Sequence, residues 1–235
     1  MPSPIALVTG ATLGIGRATA FALGRAGYKV GVCARTAANV EALLRDLRAE
    51  GIEAAGAAAD VADPAAVEAL VAQVSRALGP VDTLINNAGI ARLAPFAELS
   101  LDDWDATMAT NLRSLYLVTR AVLPGMRARK HGFIVNVASL AGKNAFVGGT
   151  AYVASKHAVL GFSKTLMLEV RKDGVRVLAI CPGSVDTPLM HGQAVLNPNT
   201  DAILKPDDVA QAILDALRMP SRALVSEIDL RPANP

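Results

Sequence analysis

The chain has 235 residues, with 23 Lys and Arg against 21 Asp and Glu, for a formal net charge of +2. With no block of like charge, that balance argues against binding nucleic acid or an anionic membrane by bulk electrostatics. A hydrophobic fraction of 52% beside 19% charged residues can bury a large core and excludes disorder.

The opening Met1-Pro2-Ser3-Pro4 lacks a basic leader, Ile5 to Val8 is too short for a signal sequence, and no apolar run nears the ~20 residues of a membrane span. A soluble, cytoplasmic protein is expected. Apolar runs then recur along the chain as strand candidates at 5–8, 29–33, 81–85, 133–137, 175–180 and 223–228, with a weaker, Ala-rich one at 52–59. Between them lie helical patterns at 14–26, 37–50, 64–79, 101–128, 151–172 and 206–218. Asp63-Pro64 and Ser100 read as helix starts, and Gly27, Gly79 and Gly174 as helix stops. Strands that are apolar on both faces, alternating with helices from end to end, predict one α/β domain over residues 1–235. Its architecture is a doubly wound parallel sheet. Cys33 and Cys181 have no disulfide-framework or metal spacing and read as small buried hydrophobes, so no metal is expected.

Thr9-Gly10-Ala11-Thr12-Leu13-Gly14-Ile15-Gly16 lies between the first strand and the first helix. Gly10 permits a tight turn, and Gly14 and Gly16 leave room for a pyrophosphate at the helix N-terminus, where free N–H groups and the dipole favour an anion. Three glycines alone would serve equally to turn a strand into a helix; the position after the first strand is what favours a coenzyme. The second strand ends in Ala34-Arg35 with no acid before Glu41. An acid there would take the ribose hydroxyl of NAD, whereas arginine suits the 2′-phosphate of NADP. NADP(H) is therefore expected over NAD(H).

Further landmarks follow: Asp60-Val61, Asn86-Asn87-Ala88-Gly89, Asn111, Ser139, Tyr152-x-x-x-Lys156 and Pro182-Gly183-x-Val185-x-Thr187. With three Tyr and seven Lys, a Tyr-x-x-x-Lys pair should arise by composition only about 0.09 times. In order and spacing the set resembles the short-chain dehydrogenase/reductase family, of the NADP-preferring carbonyl reductase type, over almost the whole chain. The resemblance implies a Rossmann-type sheet of about seven strands in the order 3-2-1-4-5-6-7. It also implies coenzyme contacts at Gly10, Thr12, Leu13, Gly14, Ile15, Gly16 and Arg35, at Asp60 and Val61 (adenine), and at Asn87, Ala88 and Gly89 (adenosine ribose). Pro182, Gly183, Val185 and Thr187 would hold the nicotinamide, with Tyr152 and Lys156 beside it. Homodimers or homotetramers are common in the family. Leu13 departs from the Arg or Lys frequent in NADP-using relatives. Ala151 and the Val225–Pro232 ending depart from the 3-oxoacyl-carrier-protein reductases.

Asn111, Ser139, Tyr152 and Lys156 form the expected catalytic set. A free tyrosine titrates near pH 10, and an ammonium four residues on, on the same helix face, should favour the phenolate and bring it towards the working range. Ser139 can donate to a substrate oxygen as charge builds there. The resemblance adds that Lys156 holds the nicotinamide ribose and relays protons towards Asn111. Leu140, Phe146 and Met190, with Val147 and Leu189, would form an apolar mouth, with Arg92 and Lys143 as nearby cations. The 188–205 segment reads as a substrate-covering loop. Trp104 and Phe96 should pack near the helix carrying Asn111. His131 reads as a solvated helix-end residue, His157 as structural or exposed, and His191 stays open. The leading expectation is an oxidoreductase interconverting a ketone or aldehyde and an alcohol. A 3-oxoacyl-thioester (acyl-carrier-protein or CoA) reductase and a coenzyme-binding regulator with little catalysis remain alternatives.

Overall fold

Five consecutive apolar or β-branched residues open the fold. In the computed structural model, which describes residues 3–191 and 202–233, Ile5–Thr9 forms β1 and every one of its residues is buried. Because side chains alternate across a strand, Ala6 and Val8 meet one core and Leu7 the other. The first core lies under α1 (Gly14–Arg25), α2 (Ala37–Ala49) and α8 (Pro206–Arg218). The second lies under α3 (Pro64–Leu78), α5 (Ser114–Arg129) and α6 (Thr150–Val170). Burial on both faces is why the strands read as continuous apolar runs rather than alternating ones.

The remaining strands are β2 (Lys29–Ala34), β3 (Ala54–Ala58), β4 (Thr83–Asn86), β5 (Gly132–Val137), β6 (Val175–Pro182) and β7 (Glu227–Leu230). All neighbours pair in parallel, in the order β3-β2-β1-β4-β5-β6-β7. The chain winds outward from β1 in one direction, then returns to build β4–β7 on the other side. Loops leaving β1 and β4 therefore diverge and open a crevice at the carboxyl edge of the sheet. The expected helix ends are present. The Asp63 carboxylate accepts from Ala65 N at 2.9 Å, the Ser100 hydroxyl accepts from Asp103 N at 3.0 Å, and Gly27, Gly79 and Gly174 all have positive φ.

Two elements differ from the expectation. The single helix expected over 101–128 is α4 (Leu101–Met108), a π-helical turn at Ala109–Arg113, and then α5. A widened turn inserts one residue without breaking the run of helical residues, so periodicity does not reveal it. β7 lies at 227–230 rather than 223–228. It is the sheet edge, and its residues alternate, with Ile228 and Leu230 packed against the core while Glu227 and Asp229 take ion pairs. An apolar run was the wrong signal for an edge strand. Of the 188–205 segment, α7 (Pro188–His191) follows β6, and Leu204 pairs with Val185. Gly192 and Asn197-Pro198-Asn199 lie outside the described residues. No helix among the described residues is long and apolar enough to cross a membrane.

Candidate active site

The carboxyl ends of β1 and β4 are stitched together by two side chains. The Thr9 hydroxyl accepts from the N–H groups of Asn87 (3.0 Å) and Ala88 (3.1 Å) and donates to the Ile85 carbonyl at 3.3 Å. The Asn87 amide donates to the carbonyls of Thr9 (2.9 Å) and Gly10 (3.0 Å). Gly10 and Gly14 have φ of +62° and +51°, a region closed to most side chains. A Cβ on Gly16 would stand 2.3 Å from the Gly10 carbonyl oxygen and 2.4 Å from Asn87 Nδ2. Gly16 is thus required by the loop's own packing against Asn87 and does not line the cleft, which corrects the expectation that it clears space for a pyrophosphate. Helix α1 is preceded by Leu13, which provides no side-chain cap; it has no acid in its first turn, and its opening residues Gly14 and Ile15 line the crevice. That end presents N–H groups and positive dipole to an anion.

The crevice holds about 840 Å³ and runs across the carboxyl edge of the sheet. It brings together Gly10, Thr12, Leu13, Gly14 and Ile15 with Arg35, Asp60, Val61, Asn87, Ala88 and Gly89 on one side. On the other side lie Ser139, Leu140, Phe146, Tyr152, Lys156, Pro182, Gly183, Val185, Thr187 and Met190. Arg35 is exposed and takes part in no ion pair among the described residues. Asp60 closes its own turn by accepting from Ala62 N at 2.9 Å.

Ser139 leaves β5 in extended conformation, its Oγ accepting from Ala141 N at 3.1 Å and donating to the Pro182 carbonyl at 3.5 Å, and it lines the cleft together with Tyr152. Tyr152 and Lys156 project from the first turns of α6, with Lys156 Nζ 5.7 Å from the Tyr152 ring centroid. Nζ donates to the Val137 carbonyl at 2.8 Å. Burial pushes the Tyr152 phenol above its ordinary range, and the neighbouring Ser139 hydroxyl works the other way. Burial brings Lys156 down to about 8. The Tyr152 shift is set by burial of the phenol and runs opposite to the acidification expected from Lys156. Asn111, on the π-helical turn, sits one layer behind the cleft. Its Oδ1 accepts from Ile90 N at 2.8 Å, and its Nδ2 donates to the Ile90 carbonyl (2.9 Å) and Ser155 Oγ (3.0 Å). It ties the loop after β4 to α6, next to Gly89.

At the far end, Leu140, Phe146, Leu189 and Met190 line the cleft as expected, whereas Val147 does not and is 86% exposed. Both expected cations are engaged elsewhere. Arg92 faces Asp103 at 3.6 Å, and Lys143 bonds Glu227 and Asp229, which hold its ammonium well above the usual lysine range. His191 hydrogen-bonds Asp186, which also takes Lys205 at 2.9 Å. His131 is exposed, and His157 donates to the Val153 carbonyl. Trp104 is half-buried, but Phe96 is 78% exposed, against the expectation that it packs near the helix carrying Asn111. Sequence reasoning missed Thr36 and Asn39 beside Arg35, and Ser184, Arg231 and Pro232 at the other end. The available signal was topological. Residues following any strand of a parallel sheet emerge on the binding edge, so those after β7 belong to the site as much as those after β1.

The model of the family described as short chain dehydrogenase matches residues 4–195. A protein of Streptomyces virginiae, named as a ketoacyl reductase of the monensin polyketide synthase, is 48% identical over 189 residues, covering 80% of this chain and 72% of its own. D-threitol dehydrogenase of Mycolicibacterium smegmatis is 41% identical over 96% of this chain and 90% of its own. Among solved structures, a point variant of actinorhodin polyketide ketoreductase with NADPH superposes with a TM-score of 0.91 at 37% identity, covering 99% of this chain and 98% of that one.

Proposed function

The chain belongs to the short chain dehydrogenase family, and from that premise we propose an NADP(H)-preferring oxidoreductase that interconverts a carbonyl and an alcohol, with Tyr152 as general acid and base. The observation that carries this reading is the gathering of Ser139, Tyr152 and Lys156, its Nζ 5.7 Å from the Tyr152 ring, on the wall of a cleft whose other half is a helix N-terminus. The residues present fit the coenzyme. Gly10 and Gly14 take positive φ, the uncapped start of α1 suits a diphosphate, and Arg35, with Thr36 and Asn39, suits a 2′-phosphate. Asp60 and Val61 would flank the adenine, Asn87 to Gly89 the ribose, and Pro182, Gly183, Val185 and Thr187 the nicotinamide. When bound, the coenzyme supplies the hydride equivalent that the side chains lack.

In the reducing direction, Ser139 donates to the carbonyl oxygen, and Tyr152 transfers its hydroxyl proton to that oxygen. Lys156, with a pKa near 8, keeps most of its positive charge at neutral pH and offsets the phenolate left behind. Asn111 is a positioning residue that fixes the Ile90 loop against α6. An NADPH-oxidation screen over ketones, aldehydes, quinones and 3-oxo esters, with NADH in parallel, tests the reading. Turnover with NADPH is expected, and indifference to every carbonyl would sink it.

Similarity to polyketide ketoreductases favours a second reading, a 3-oxoacyl-thioester reductase. It predicts faster reduction of a 3-oxoacyl thioester than of the corresponding simple ketone. A coenzyme-binding regulator would have no use for the assembled Ser139–Tyr152 pair. We read residues 1–235 as one domain, cytoplasmic, and assembled as a homodimer or homotetramer. Exposed Tyr116 and Leu168 on α5 and α6 suit such an interface, and light scattering would measure it.

A further inference from the structure

The cleft carries an exposed cation at each end of the sheet's carboxyl edge. Arg35 follows β2 on the side of the glycine loop, and Arg231 follows β7 on the far side of Ser139 and Tyr152. Gly183 N donates to the Leu230 carbonyl at 2.8 Å, which anchors the backbone of Arg231 beside Pro182-Gly183. Among the described residues, its guanidinium forms one ion pair, a long one with Asp229. Asp229 Oδ2 lies 3.9 Å away, beyond hydrogen-bond reach, while the other oxygen of that carboxylate bonds Lys143. Lys143 also takes Glu227, which Lys164 approaches at 3.4 Å. Among the described residues, three cations (Lys143, Lys164 and Arg231) thus share two carboxylates, and of the three Arg231 lines the cleft and stands farthest from its carboxylate. Around it the wall is apolar, made by Leu140, Phe146, Leu189 and Met190.

We infer that Arg231 is a substrate-specificity residue that binds an oxyanion carried by the substrate, so that preferred substrates are oxo acids or phosphate esters of oxo compounds with an apolar body. The inference rests on the oxidoreductase reading above and adds the substrate class. A guanidinium fork matches carboxylate and phosphate alike. With β6, β5, β4 and β1 between it and Arg35, Arg231 lies at the end of the cleft remote from the phosphate-binding loop.

The test compares NADPH-dependent reduction of a medium-chain oxo acid, its methyl ester and a phosphate monoester of matching length. For the unaltered protein, kcat/KM should favour the anionic ketones over the ester roughly tenfold through KM, and added KCl should erode that preference. Whichever anion is preferred identifies the oxyanion. In Arg231→Gln the anion-to-ester ratio should fall about tenfold, and Arg231→Lys should restore part of it. Equal KM values for acid and ester in the unaltered protein overturn the inference without touching the oxidoreductase reading. So does a loss in Arg231→Gln that appears in the KM of NADPH rather than of the oxo acid, since it would assign the arginine to the coenzyme. Failure to reduce any of the three, while a ketone, aldehyde or quinone of the wider screen is turned over with NADPH, overturns the inference alone, and only indifference to every carbonyl removes the oxidoreductase reading with it.

Discussion

The two halves of the cleft are built from different material. On the β1–β4 side the surface is mostly backbone, shaped by glycines and locked by the hydrogen bonds of Thr9 and Asn87 to main-chain groups. On the β5–β7 side it is mostly side chains, held by partly exposed ion pairs such as Lys143 with Glu227 and Asp229. A backbone surface suits a ligand that never changes, because one residue swapped in the loop disturbs the whole turn. A wall of side chains can be altered one position at a time, which suits the part of the site that selects the substrate.

That contrast can be broken in several places. The largest effect is expected at Tyr152. Tyr152→Phe should lower kcat about a thousandfold while NADPH binding, followed by nucleotide fluorescence, stays within a few-fold. Retained turnover would remove the proposed proton donor. Next comes the backbone half. Gly16→Ala would drive a Cβ to 2.3 Å from a carbonyl oxygen, and should cost several kcal/mol of stability and abolish coenzyme binding. Gly161→Ala is the control, because a Cβ there meets nothing within 4 Å. It should be neutral or stabilise by up to about 1 kcal/mol. Equal melting temperatures for the two variants would contradict the packing account.

Arg35→Asp should weaken NADPH binding by roughly 10- to 100-fold and leave NADH within a few-fold. An equal loss for both coenzymes would return the preference to other residues.

The smallest effect concerns stability. Burial lowers the Lys156 pKa from 10.5 to about 8, so between those values the unfolded chain holds more protons than the folded one. Stability therefore rises with pH across that window, and the burial cost is borne in full below pH 8. Lys156→Met should raise the melting temperature at pH 7, a gain on the order of 2 kcal/mol or less because the bond to Val137 is lost, while turnover collapses. The stability gain should shrink as pH climbs towards 10. A lower melting temperature at pH 7 would show that the Val137 hydrogen bond outweighs desolvation.

Local chemistry made much of the molecule legible. Strand-helix alternation led to the parallel sheet, Asp63-Pro64 and Ser100 to true helix starts, and Tyr152-x-x-x-Lys156 to one wall of the cleft. Those inferences rest on contacts within a few residues or on burial of both strand faces, and such forces write themselves into composition and period. Other features depend on partners far along the chain. The π-helical turn under Asn111 is held by Ile90 and Ser155, Gly16 is dictated by Asn87, and Lys143 is taken out of the substrate's reach by two carboxylates on β7. Tyr152 and Lys156 share a wall of the cleft as their spacing implies, but the direction of the Tyr152 shift was not legible, because a spacing of four residues carries no information about desolvation. The chain alone thus determined which elements form and which side chains share a helix face, since these follow from neighbours in order. Only the tertiary structure decided which charges are neutralised, which turn widens and that Arg231 faces the cleft, since these depend on groups the fold brings together from distant parts of the chain.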